Sequence, residues 1–145
     1  NLAVVIDGSL SVNRDDQGNF DTEKEFAKNI TASFADKNLF ANGGTASYVQ
    51  FSTSVDPSDT GTFFSLEDFN NFVDNDTYIG EDTQIDQGIA SARVLLDAAP
   101  NSSAAFMFVI TDGDSQTPVE VEADGARADG ITLFAVGIGE ASESA

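Results

Sequence analysis

Two runs of uninterrupted apolar residues, 2–6 (LAVVI) and 105–110 (AFMFVI), constrain this chain more than any other feature. Neither alternates apolar with polar, so both faces of each strand must be covered, as in the centre of a parallel sheet packed between helices. A shorter run, 46–51 (ASYVQF), reads as another strand, and 131–138 as the last one before Gly139. The segments between them change period. From Thr22 a helix is expected, with Thr22 and Glu25 in capping-box spacing and Phe26, Ile30 and Phe34 recurring on one face beside Ala27. Asn42-Gly43-Gly44 closes that unit as a turn. The cluster 56–61 is loop, 62–65 suggests a short edge strand, and 66–73 a modest helix. A longer helix is expected over about 82–98, with Ile85, Ile89, Ala92 and Leu96 on one face and Pro100 as its stop. Pro118 opens the next, carrying Val119, Ala123 and Ala126. Strands alternating with helices give an α/β fold: a doubly wound, mostly parallel sheet flanked by helices, with one short antiparallel edge strand.

Composition narrows the function. The 145 residues carry 25 acidic and 6 basic side chains, a formal charge of −19, and no His or Cys. No imidazole base, His-built zinc site, thiol chemistry or disulfide framework is therefore available. A surface this acidic repels phosphate backbones, which argues against nucleic acid and against docking on anionic membranes. The longest apolar stretch, 104–110, is far too short to cross a bilayer. Much of the acidity needs no explanation beyond solubility in salty or calcium-rich surroundings.

The loops after the apolar strands do need one. In such sheets ligands sit outside the carboxyl ends of the strands, near a reversal of strand order. Asp7-Gly8-Ser9-Leu10-Ser11 follows the first strand, Asp112-Gly113 follows the third, and Thr83 stands at a loop-to-helix junction. Asp7, Ser9, Ser11, Thr83 and Asp112 then offer two carboxylates and three hydroxyls, an all-oxygen set suited to Mg²⁺, Mn²⁺ or Ca²⁺ and ill suited to Zn²⁺ or copper. Taken singly, Asp7 reads as a turn cap, Ser9 or Ser11 as a helix cap, and Asp112-Gly113 as a β-turn. Jointly, at the right strand ends, they read as one metal centre.

These residues give the chain a resemblance to the von Willebrand factor A domain, the module also inserted in integrin α subunits. The resemblance runs from Leu2 to about Ile138: Asp7, Ser9 and Ser11 match the DxSxS element of the metal-ion-dependent adhesion site, Thr83 its threonine, and Thr111-Asp112-Gly113 its TDG-type element. It implies a Rossmann-like fold, direct contact of Ser9 and Ser11 with the cation, a water-mediated role for Asp7, and exchange of direct and water-mediated roles between Thr83 and Asp112. When Thr83 replaces Asp112 beside the cation, a partner carboxylate is attracted more strongly. Relatives couple that exchange to movement of a C-terminal helix. Here the chain stops at Ala145, so 1–145 is read as a single domain excised from a larger protein and lacking the full final helix.

Two acidic features stand beside the five residues. Glu81, Asp82 and Asp86 surround Thr83; they tune the site toward Ca²⁺ or form an adjacent weak site, or, the simpler reading, complement a helix dipole. The segment bounded by Asn13 and Asp21 (NRDDQGNFD) has a calcium-loop composition but fails the EF-hand spacing, because Gln17 and Lys24 occupy ligand positions; it reads as a solvated loop.

The function expected is a metal-dependent adhesion or protein-binding module, not an enzyme. It would recognise a Glu or Asp carboxylate of a matrix, cell-surface or neighbouring protein through one divalent cation, Mg²⁺ first and Ca²⁺ or Mn²⁺ next. Rim residues such as Leu10, Tyr78 and Gln116 would set specificity. The domain is expected to be monomeric in isolation and extracellular or at the cell surface, with no membrane insertion. Alternatives are an acidic calcium-associated matrix protein and an intracellular assembly scaffold of the same fold. A Mg²⁺-dependent phosphatase of the haloacid-dehalogenase type is remote, because Val5 stands where that motif needs its nucleophilic Asp.

Overall fold

A computed structural model of the chain describes residues 1–9, 12, 18–99, 104–111 and 119–137. Five strands form one sheet: β1 (Leu2–Asp7), β2 (Ala46–Phe51), β3 (Thr60–Phe63), β4 (Ala105–Thr111) and β5 (Ile131–Gly137). Four α-helices flank it among the described residues: α1 (Asn19–Asp36), α2 (Leu66–Asn75), α3 (Ile85–Asp97) and α4 (Glu120–Ala128). The order across the sheet is β3-β2-β1-β4-β5, and only the short edge strand β3 runs antiparallel, against β2. The mixed, mostly parallel sheet expected from the sequence is therefore what forms.

β1 lies at the centre, with Leu2 opposite Ala46 on one side and Phe106 on the other. Its side chains divide by pleat. Leu2, Val4 and Ile6 enter one core layer with Phe20, Ala27, Tyr48, Phe69, Val73 and Ile110. Ala3 and Val5 enter the other with Val49, Phe51, Ile85, Ile89, Met107 and Val109. Each layer is roofed by two helices, α1 and α2 over the first and α3 and α4 over the second, which is why the run LAVVI carries no polar residue.

The α3 stripe is buried as expected at Ile85, Ile89, Ala92 and Leu96, and Ala123 and Ala126 are buried on α4. Gly88 belongs to the α3 stripe for a steric reason. A Cβ there would stand 2.7 Å from the Phe51 ring and 2.8 Å from Val5.

Helix α1 departs from expectation in two ways. It begins at Asn19, with Gly18 at the N-cap, and the Thr22 hydroxyl donates to the Gly18 carbonyl (3.1 Å) instead of capping an amide. The second half of the segment 13–21 is thus the first turn of a helix; residues 13–17 lie outside the described residues. Its buried stripe is Phe20, Glu23, Ala27 and Thr31, whereas Phe26 is 40% exposed. Two polar residues occupy inward positions, so the buried stripe is turned away from Phe26 while keeping Ala27. Ile30 and Phe34 pack against the core as expected.

Other boundaries shift slightly. β3 occupies 60–63, not 62–65, because Ser65 serves as the N-cap of α2, its hydroxyl accepting the Asp68 amide hydrogen at 3.2 Å. Helix α3 begins at Ile85, which leaves Thr83 in the preceding loop. The stop expected at Pro100, the start at Pro118 and the final strand residue Ile138 lie outside the described residues. No helix among the described residues is long and apolar enough to cross a membrane.

Candidate metal centre

The chain reverses direction across the sheet at β1: β2 lies on one side of it and β4 on the other. Asp7 is the last residue of β1 and Thr111 the last of β4, both at the carboxyl rim. Their side chains meet there, with the Thr111 hydroxyl donating to Asp7 Oδ2 at 2.7 Å. The Ser9 amide donates to Asp7 Oδ1 at 2.9 Å, an Asx-type turn that folds the loop back over the strand end. Asp7 and Ser9 are fully buried.

The Thr83 loop is tied to the same rim from two sides. Toward β1, the Gly80 amide donates to the Gly8 carbonyl (2.6 Å), the Tyr78 hydroxyl donates to the Ser9 carbonyl (2.5 Å), and Ser9 and Glu81 form an isolated parallel bridge. Toward β2, the Glu81 amide donates to Ser52 Oγ (3.0 Å), Ser52 Oγ donates to the Asp82 carbonyl (2.8 Å), and the Gln84 amide donates to the Ser52 carbonyl (3.0 Å). Thr83 is buried in the middle of this lacing.

Gln50 completes it. Its Nε2 donates to Asp76 Oδ2 (2.7 Å) and to the Thr77 carbonyl (2.9 Å), and its Oε1 accepts the Ile79 amide hydrogen (3.0 Å). Gly8 leaves room for this side chain: a Cβ at that position would lie 2.0 Å from Gln50 Oε1.

Of the five residues selected from the sequence, Asp7, Ser9 and Thr83 are described and lie on linked loops of one rim. Ser11 and Asp112 lie outside the described residues, as do Leu10, Gly113 and Gln116. Among the described residues no three His, Cys, Asp or Glu side chains converge as a metal cage. The donor set at the rim is one buried carboxylate with hydroxyls, all hard oxygen, which fits a divalent cation. Glu81 and Asp82 are exposed, and Asp86 lies in the first turn of α3, where a negative charge complements the helix dipole.

Several residues shape the rim in ways that the sequence reading did not assign. Tyr78, taken as a specificity residue, has its ring against Phe20 (centroids 5.1 Å apart) and its hydroxyl on Ser9. Gln50 and Ser52 are polar residues in and just after an apolar strand, and that mismatch was the available signal. Glu23 is an acid inside a buried helical stripe.

A separate acid pair lies at the other end of the Gln50 network. Asp76 accepts from Tyr48 (2.7 Å) and Gln50 (2.7 Å), and it borders an open pocket of about 360 Å³ with Asp59, Ser58, Phe72, Asn75 and Thr77. Desolvation first, then hydrogen bonding to Asp76 and the charges of Asp76 and Asp56, push the Asp59 carboxyl up from 3.8 to about 7. Burial, followed by the Asp76 charge, holds the Tyr48 phenol protonated as a donor. Lys24 of α1 reaches the backbone beside the pair, its Nζ donating to the Asp76 carbonyl at 3.0 Å. An acid raised by folding binds more protons folded than unfolded, so its contribution to stability is full below pH 3.8 and is lost as pH rises through about 7. Asp59→Asn is therefore expected to gain melting temperature relative to the wild type as pH rises over that window. A constant difference between the two proteins across the window would refute the assignment.

The comparisons with known proteins agree with this architecture. The family model described as "von Willebrand factor type A domain" matches residues 1–145. The chain is 33% identical over 148 residues to the human collagen alpha-1(XXI) chain, covering 99% of this chain and 15% of the collagen. It is 33% identical to mouse matrilin-2 and 31% identical to mouse cochlin, covering 98% and 95% of this chain but 15% and 24% of those proteins. It thus spans a quarter or less of these relatives, all of which are extracellular matrix proteins. Among solved structures, proximal thread matrix protein 1 from the mussel byssus, with a zinc-occupied adhesion-site motif, superposes with a TM-score of 0.80 at 25% identity, over 97% of this chain and 38% of that one. Zinc in that protein shows that hard-oxygen chemistry alone does not exclude zinc from a motif of this type. By family match, identity and fold together, the chain belongs to the von Willebrand factor type A domain family.

Proposed function

We propose that this domain is a non-catalytic, extracellular binding module that recognises an acidic group of a partner protein through one divalent cation held by Asp7, Ser9, Ser11, Thr83 and Asp112. The observation that carries this reading is the meeting, at one rim, of the β1 and β4 strand ends with the Thr83 loop: Asp7 is oriented by Ser9 and Thr111, and the Thr83 loop is laced to the ends of β1 and β2. A cation bound there supplies a Lewis-acidic position for a carboxylate oxygen. With few acidic residues in the set, the centre keeps an affinity for an anionic partner that a cage of carboxylates would satisfy internally. The matrix character of the relatives supports an extracellular setting and a protein partner.

The test is calorimetric titration of the chelator-stripped domain with Mg²⁺, Ca²⁺, Mn²⁺ and Zn²⁺ in turn. One saturable site is expected, with Mg²⁺ the leading ion. Immobilised matrix proteins should then retain the domain with cation and release it with chelator. Many weak, unsaturable sites would shift the function to bulk acidity, a reading favoured by the 25 acidic residues.

A further inference from the structure

Glu23 is completely buried, and it lies on α1, outside the residues proposed to hold the cation. Its Oε1 accepts the Asp7 amide hydrogen at 2.9 Å. This contact falls where β1 ends: the β1–β4 pairing runs to Ile6 opposite Ile110, and β1 itself ends at Asp7. Glu23 therefore ties the last residue of β1 to α1 at the start of the cation loop.

We infer that Glu23 is a positioning residue of the cation centre, fixing the Asp7 backbone so that its carboxylate faces the rim loops. The inference rests on the cation reading given above. It has independent support in the way the first turns of α1 hold this loop. Asn19 Nδ2 donates to the Val12 carbonyl at 2.9 Å, and Phe20 packs on Tyr78, whose hydroxyl reaches the Ser9 carbonyl. Residues 19, 20 and 23 of one helix therefore brace the loop at three points, Glu23 acting on Asp7 itself. A buried carboxylate is a costly choice for such a position unless its acceptor is needed, since an apolar side chain would fill the stripe without desolvating a polar group.

Glu23→Met and Glu23→Gln separate the possibilities. Met keeps the length and removes the acceptor; Gln keeps an acceptor oxygen and removes the formal charge. Both variants are first melted without cation to confirm folding, then titrated with Mg²⁺ and Ca²⁺. Residues that orient metal ligands typically change affinity by roughly tenfold to a hundredfold, and a loss of that size is expected for Glu23→Met. Glu23→Gln should remain within about threefold of the wild type, a difference well under 1.4 kcal/mol. In the cation-free domain the Asp7 amide proton resonance should move upfield in Glu23→Met and much less in Glu23→Gln. Wild-type affinity in Glu23→Met would overturn the positioning role alone, and equal losses in both variants would assign the effect to charge, not position. A wild-type domain with no saturable site would overturn the cation reading and this inference with it.

Discussion

Asp7→Ala is expected to remove the saturable cation site altogether, lowering affinity by more than about a hundredfold, the upper end of what even supporting residues contribute. Two effects combine. The substitution deletes the only carboxylate among the described residues of the proposed set, and it releases the two groups that its oxygens hold, the Ser9 amide and the Thr111 hydroxyl. Each becomes a buried donor without its partner, at a cost of about 1–3 kcal/mol in stability. The loop carrying Ser9 would lose its turn as well as its charge. Asp7→Asn divides the effects, since the amide oxygen serves one donor while its NH₂ opposes the other. An intermediate melting temperature with cation binding still lost is the expected pattern. Calorimetry on folded protein checks it, and a single site of unchanged affinity in Asp7→Ala would place the cation elsewhere.

The second large effect concerns the core beneath α3. Phe51 is fully buried at the end of β2, and Gly88 exists in the helix to admit its ring. Phe51→Ala should cost about 3–5 kcal/mol, the usual range for emptying a buried aromatic site. Gly88→Ala sets two opposing terms against each other. Helix propensity favours Ala by about 1 kcal/mol, while a Cβ forced against the Phe51 ring and Val5 costs about 1–3 kcal/mol. The contacts would be 2.7 and 2.8 Å, and the nearest atoms belong to a ring and a branched side chain that cannot swing aside, so overpacking wins and the variant is destabilised. In the Phe51→Ala background the ring contact is gone and only the 2.8 Å contact with Val5 remains, so the same Cβ costs less. A double-mutant cycle by urea unfolding should therefore show a coupling of about 1–3 kcal/mol. Additive losses would mean that Gly88 and Phe51 do not share the constraint.

What was legible in the sequence was whatever repeats along the chain. The uninterrupted runs ending at Ile6 and Ile110 announced strands covered on both faces, and the 85-89-92-96 stripe announced a helix lying on them. Topology followed, because βαβ crossovers have one hand, and the rim location of Asp7 followed from topology. Thr22 and Phe26 were misread for a local reason. Capping spacing and hydropathy are properties of short windows, whereas α1 is oriented by Phe20, Glu23, Ala27 and Thr31; of the two polar residues, Glu23 is held by the Asp7 amide from another element and Thr31 by the Ala27 carbonyl one turn back.

The sequence by itself determined the fold class and supplied the oxygen-bearing residues proposed to hold a cation. The tertiary structure decided how Asp7 and the Thr83 loop are held: Thr111 on Asp7 across 104 positions, Glu23 on the Asp7 amide at the end of β1, Ser52 and Gln50 on the Thr83 loop. The physical reason is that periodicity records burial, which each residue experiences alone. A hydrogen bond between distant groups records a meeting that only the folded chain brings about.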